Sequence, residues 1–198
     1  DMRSSFQGVI VWINGFPSKN RFTEEKSFYG DCYQGALDRA KVLGYKLESF
    51  WIGEKGMTGK RASQILKARN ILGIVVGPVP EITANIDIEW ESFNSLRIGY
   101  SLSDTRITNV ISDQFANAQR AIARMMDDGF KRIGFACPRY MDDRATNKFS
   151  AAYLSMMHRH FGSLPMPMFL DESKDGDRRA FLDWYEENRP EVILAGGR

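Results

Sequence analysis

The stretch NVISDQFANAQRAIARMMDDGFKRIGFAC, residues 109–137, decides the reading of the fold. It opens on a strand mouth that ends in Ser112 and Asp113, continues as a helix, and closes on a second strand, IGFAC. Phe115, Ala118, Ile122 and Met125 recur every three or four residues, a spacing that gathers apolar side chains on one helix face, and Gly129 supplies the stop. Strand, helix and strand joined by such short loops form a βαβ unit, whose strands run parallel through a crossover. Asp113 then stands at the carboxyl edge of a parallel sheet, where α/β folds place their ligands.

The same alternation runs outward in both directions. GVIVWI, residues 8–13, is the near-continuous apolar run of a strand buried on both faces. NGFPSKNR breaks it, and Thr23 with Glu24 and Glu25 reads as a capped helix start. That helix carries Phe28, Cys32, Gly35 or Ala36, and Ala40 or Leu43 on one stripe, with Gly44 at its end. KLESFWI, residues 46–52, is a second strand, and a short helix covers residues 60–68. Residues 73–76 form a third strand, which Pro78 and Pro80 stop. IDI within ITANIDIEWESFNS alternates like a strand, yet Ile88, Phe93 and Leu96 also fit a short helix. RIGYS, residues 97–101, is another strand. Beyond Cys137, PRYMDD reads as a loop leading to a long helix over about residues 144–161. PMFL, a helix over 178–187 and EVILAGG complete the chain.

This pattern predicts an α/β protein with parallel sheets flanked by helices. It has an N-terminal lobe over residues 7–108 and a C-terminal lobe over 109–198. The chain ends three residues after the last apolar strand position, with no helix to follow, so the C-terminal lobe reads as incomplete.

Composition excludes little but does exclude something. The 27 Lys and Arg against 25 Asp and Glu leave no single-signed field that would favour nucleic acid or anionic membrane. The two cysteines, Cys32 and Cys137, read as free and buried, which suits a reducing, cytoplasmic setting. No apolar run approaches the roughly 20 residues that a membrane span requires. Neither GxGxxG, GxxxxGK[ST] nor GxSxG occurs, so no dinucleotide, phosphate-loop or serine-hydrolase motif supports a cofactor or a catalytic site. His158 and His160 are two apart near a helix exit, on different faces, where they suit the helix dipole better than a metal. Asp127 with Asp128 and Asp142 with Asp143 read as solvated pairs.

What remains lies at strand exits. Asn14 and Phe16 follow the first strand, Phe28 opens its helix, Pro78 follows the third strand, Asp113 follows the crossover strand, and Tyr140 follows IGFAC. Each has an ordinary alternative: Phe28 as core, Asn14 as an Asx turn, Asp113 as a helix cap. Taken together they describe aromatic surfaces beside hydrogen-bonding side chains, suited to a small polar ligand with an apolar face.

Four segments also resemble a known family in order and approximate spacing: FYGDCYQGALDRAKVLGYKLE, ILGIVVGP, NVISDQFANAQRAIARMMDDGFKRIGFA and NKFSAAYLSMM. They are similar to the effector-binding core of the lactose and galactose repressor family of bacterial transcription regulators, a core with the type I periplasmic binding protein-like fold. The strongest element runs from Asp113 through Gly129, Lys131 and Arg132 to Ile133. The resemblance implies a dimeric sensor of a sugar or sugar derivative, whose helix-turn-helix head, absent from these residues, reads operator DNA. It implies that Asp113 and Lys148 hold effector hydroxyls and that Phe28 packs the ligand. Lys148 departs from the family's usual arginine, which removes a bidentate fork. Gly196 and Gly197 stand where the family usually carries an asparagine and an aspartate. A transport receptor on the same fold, or a small hydrolase or transferase using Asp113 as base, are the competing readings.

Overall fold

The computed structural model describes residues 6–20, 27–79, 86–100, 102, 106–164, 166–173 and 176–196. The chain divides into two compact units, residues 1–111 and 112–198.

The first unit is built on β1 (Gly8–Asn14). Val11 and Ile13 point to one face and Trp12 to the other, and all three are buried. Such a strand must be covered on both sides, which is why its sequence is apolar almost throughout. On one face lie Ala62 and Leu66 of α2 (Gly59–Ala68), with Ile74 and Val76. On the other, Trp12 packs with Ala40 of α1 (Phe28–Val42) and with Leu47. β2 (Tyr45–Trp51), β3 (Gly73–Val76), β4 (Asn94–Ile98) and β5 (Thr108–Val110) complete a five-stranded sheet of order β2-β1-β3-β4-β5. Every pairing in it is parallel.

The second unit repeats the plan around β6 (Ile133–Pro138), flanked by β7 (Phe169–Asp171) and β8 (Val192–Ala195) in the order β7-β6-β8, again all parallel. Ile133, Phe135 and Cys137 are buried against Ile122 of α3 (Gln114–Asp127) and against Tyr153, Met156 and Met157 of α5 (Lys148–Phe161). Tyr153 stacks on Phe135, ring centroids 5.5 Å apart, and its hydroxyl donates to the Ile133 carbonyl at 2.9 Å. Burial pushes this phenol up to about 12, so it stays a neutral donor. α6 (Arg178–Asn188), capped by Asp177, places Trp184 beside Phe169.

Several expectations need correcting. Residues 109–137 do not form one βαβ crossover: β5 pairs with β4 and ends the first sheet, while β6 is the centre of the second. A crossover requires both strands in one sheet, and β5, with Thr108 and Val110 exposed, is an edge strand without a buried run. PRYMDD is not a loop, because α4 (Arg139–Arg144) occupies it. The long helix expected from 144 is interrupted where Thr146 and Asn147 take left-handed φ values of 55° and 58°, so α5 begins at Lys148. The strand expected at 97–101 starts earlier, at Asn94, and Trp90–Ser92 is a 3₁₀ turn. Cys32 is half-buried, and Asp142 is buried rather than solvated. The helix start expected at Thr23 lies outside the described residues, and the described part of α1 is capped by Ser27.

Two substitutions test this packing. Ile122→Ala should cost about 2–5 kcal/mol, the range for deleting a buried aliphatic side chain. Tyr153→Phe should cost about 0.5–1.5 kcal/mol, because it removes one buried hydrogen bond and little volume. Urea unfolding of both variants measures the order of the two effects.

Candidate functional site

Strand order fixes where ligands can enter. In the first sheet β1 continues to β2 on one side, while β3, β4 and β5 lie on the other. The order reverses between β1 and β3, and parallel α/β sheets take their ligands outside the carboxyl ends of the strands at such a reversal.

The loop after β1 is folded by its own first residue. Asn14 is 1% exposed; its Oδ1 accepts from the Phe16 backbone N–H at 3.0 Å and its Nδ2 donates to the Lys19 carbonyl at 2.8 Å. This is an Asx turn, and it directs the amide inward to the loop. Phe16 is buried, edge-on to Tyr29 with ring centroids 5.0 Å apart, and its carbonyl accepts from the Trp51 indole N–H at 2.8 Å. Between them, Gly15 has no room for a side chain, since a Cβ there would lie 2.7 Å from Val79 Cγ1. The exits of β1 and β3 are therefore in contact, with Pro78 buried beside Val79. Phe28, 52% exposed, flanks this edge at the start of α1, edge-on to Tyr29. The structure thus brings Asn14, Phe16, Phe28 and Pro78 to one edge of the first unit, with Phe28 offering the open aromatic surface.

In the second unit the remaining candidates are set by helix starts. Asp113 is the N-cap of α3, and its Oδ1 accepts from the Ala116 N–H at 3.0 Å. It is exposed, so its second oxygen faces solvent. Tyr140, 52% exposed, lies in the first turn of α4 just beyond β6. Lys148 is the first residue of α5 and is half-buried.

A residue that the sequence reading passed over organises this edge. Asp142 is 1% exposed, and its Oδ1 accepts from the Ser150 N–H at 3.1 Å while its carbonyl accepts from the Asn147 N–H at 2.8 Å. It thereby fixes the start of α5, and with it Lys148, from eight residues away in sequence. Nothing in a DD pair signals this, because the partner follows a left-handed bend that no periodicity marks. Asp142 also acts on Cys137: burial first, and then the carboxylate, push this thiol up to about 11. Gly196, at the exit of β8, closes over the same sulfur. A Cβ at 196 would lie 2.5 Å from Cys137 Sγ, so an asparagine there would displace the strand exit. Gly197 lies outside the described residues. No cluster of three His, Cys, Asp or Glu side chains able to hold a metal occurs among the described residues, and none of their helices is long and apolar enough to cross a membrane.

No family model matches the chain, and neither does any curated protein. Solved structures do. A regulatory protein of the LacI family from Chloroflexus aggregans is 18% identical, with a TM-score of 0.60 over 94% of this chain and 67% of its own. The dimeric Lac repressor with an 11-residue C-terminal deletion is 15% identical, with a TM-score of 0.60 over 96% and 68%. CcpA from Weissella paramesenteroides, solved with bound glucose, is 15% identical, with a TM-score of 0.54 over 84% and 60%. The likeness shows the fold. It is α/β and type I periplasmic binding protein-like, with two lobes of parallel sheets flanked by helices.

The two thiols give a direct check on this edge. Burial, and secondarily Asp31, also raise the Cys32 thiol above its ordinary value, but Cys32 is only half-buried. Iodoacetamide at pH 8 should therefore label Cys32 first and leave Cys137 unmodified until the chain unfolds. Because the Cys137 thiol is held up to about 11 in the folded state, folding favours the protonated form. Its contribution is complete below the unfolded thiol value and is lost as pH rises from about 9 to about 11, which thermal melts of Cys32→Ser across that range would follow.

Proposed function

We propose that this chain is the small-molecule-sensing core of a bacterial transcription regulator. Its effector is a sugar or sugar derivative, and each unit offers a candidate binding edge at the carboxyl ends of its own strands. The reading rests on one observation above all: both units are all-parallel sheets whose interior strands, β1 and β6, lead at their carboxyl ends into segments carrying polar and aromatic side chains. Solved structures of similar fold include regulators, one of them solved with glucose bound.

In this reading Phe28 offers an aromatic face to the ring of the effector. On the second unit, Asp113 accepts from ligand hydroxyls, Lys148 donates to them, and Tyr140 lies alongside. Asn14, Phe16 and Pro78 shape the edge of the first unit more than they contact the ligand, because the amide of Asn14 and the ring of Phe16 are already engaged within that unit. The chain acts as a homodimer, uses no cofactor or metal and performs no turnover. Operator DNA is read by a helix-turn-helix head outside these residues, in the cytoplasm and without a membrane partner.

Calorimetric titration of the chain with a panel of monosaccharides tests the reading, with saturable binding and no product as the expected outcome. Asp113→Ser retains a capping oxygen for α3 but removes the charged acceptor, and Lys148→Ala removes the donor. Each should weaken binding by about 1.5–3 kcal/mol, roughly ten-fold to more than a hundred-fold. Unchanged affinity in both, with melting temperatures near that of the parent chain, would remove these residues from the site. Consumption of a sugar would replace the sensor by an enzyme.

A further inference from the structure

β4 and β5 bring together two polar atoms without partners among the described residues. Arg97 is in register with Asn109 on one side and with Val76, the last residue of β3, on the other. Residues in register on parallel strands share a face of the sheet. Val76 assigns this one: it is the face that buries Val11, Ile13 and Ile74. The alternation agrees, since the next residue, Ile98, packs with Trp12 on the opposite face. A guanidinium and a carboxamide thus stand side by side in an otherwise apolar layer that also contains Leu102 and Ile107.

Arg97 Nε and Asn109 Oδ1 are both sealed from solvent, and neither has a hydrogen-bond partner among the described residues. Buried polar groups in native proteins are almost always paired, so each unpaired one calls for an account. An arginine that held this fold together would meet a carboxylate or a set of carbonyls. The ion pairs among the described residues join other cations to Glu48, Glu89, Glu91, Asp128 and Glu172, and none reaches Arg97.

The position of the pair points to a ligand. Arg97 is the penultimate residue of β4, one strand away from the reversal between β1 and β3. The exits of β3, β4 and β5 meet there: a Cβ on Gly99 would contact Pro78 Cβ at 3.6 Å, and the Gly99 N–H donates to the Val110 carbonyl at 2.9 Å.

We propose that Arg97 and Asn109 form an anion-reading corner of the effector site on the first unit. It takes a carboxylate or phosphate carried by a hydroxylated ligand, that is, an acidic sugar or a sugar phosphate. The guanidinium supplies charge-assisted donors to the oxyanion. Asn109 Oδ1 accepts from a neighbouring ligand hydroxyl, a hydrogen bond that an ionised carboxylate could not give. The proposal deepens the effector reading above and rests on it for the sugar part of the ligand.

The test is titration of the 198-residue chain with D-glucose, D-glucuronate, D-glucose 6-phosphate and inorganic phosphate, beside thermal melts without ligand. At least one charged sugar should bind ten-fold or more tightly than glucose. Arg97→Met should abolish that advantage, and Asn109→Leu should reduce it several-fold. Without ligand, Arg97→Met should melt no lower than the parent chain, because the buried Nε holds no partner among the described residues; a clear fall, or failure to fold, would assign Arg97 to the fold and overturn the proposal. Glucose binding as tightly as both charged sugars, or a charged advantage that survives Arg97→Met, would overturn it while the effector reading stood. Phosphate binding lost in Arg97→Met, with no sugar bound, would support the corner and overturn the effector reading. Binding of none of the four would overturn the corner.

Discussion

A strand buried on both faces can offer polar chemistry only at its ends. β1 and β6 are such strands, and the arrangement around each follows from covering them. Helices or loops must lie above and below, and functional groups are confined to the loop beyond Asn14 and the helix start beyond Pro138. The reversal of strand order beside β1 then selects one edge of the first unit. The packing of Val11, Ile13 and Trp12 between two helical layers is thus the constraint from which the location of the candidate site follows.

Within that constraint, the polar residues near the edges divide into those the fold uses and those it does not. Asn14 folds the loop after β1, Asp113 caps α3, and Asp142 holds the start of α5 across the left-handed bend at Thr146 and Asn147. These groups build the site whether or not they touch a ligand. Asp113 keeps one oxygen toward solvent, which lets it do both. Arg97 and Asn109 are the opposite case: they are placed by strand register, but Arg97 Nε and Asn109 Oδ1 have no partner among the described residues.

Much of the architecture was legible in the sequence for physical reasons. GVIVWI and the strand at 73–76 announce themselves as apolar runs, and α3 announces itself through the spacing of Phe115, Ala118, Ile122 and Met125. The failures are equally specific. A strand's sequence does not say which sheet it joins, so β5 was read as the partner of β6 when it pairs with β4. The first two residues of β4, Asn94 and Ser95, are polar and hide its start, and α4 is too short to show a period. Asp142 reads as solvated because its partner, Ser150, lies eight residues away beyond the left-handed bend at Thr146 and Asn147. Arg97, a cation between Leu96 and Ile98, reads by alternation as the solvent-facing position of a half-buried strand, and only the register with Val76 and Asn109 shows the layer it enters.

The central claim is that the carboxyl edges of these sheets bind a small hydroxylated effector. Its most direct test is a map of backbone amide shifts in the isotope-labelled chain during titration with the sugar that binds most tightly. The account predicts that the largest shifts fall at residues 14–16, 77–79, 97–99 and 140–148, with saturation and no chemical change in the sugar. Shifts confined to the outer surfaces of α1, α3 and α5, leaving those loops unmoved, would contradict it.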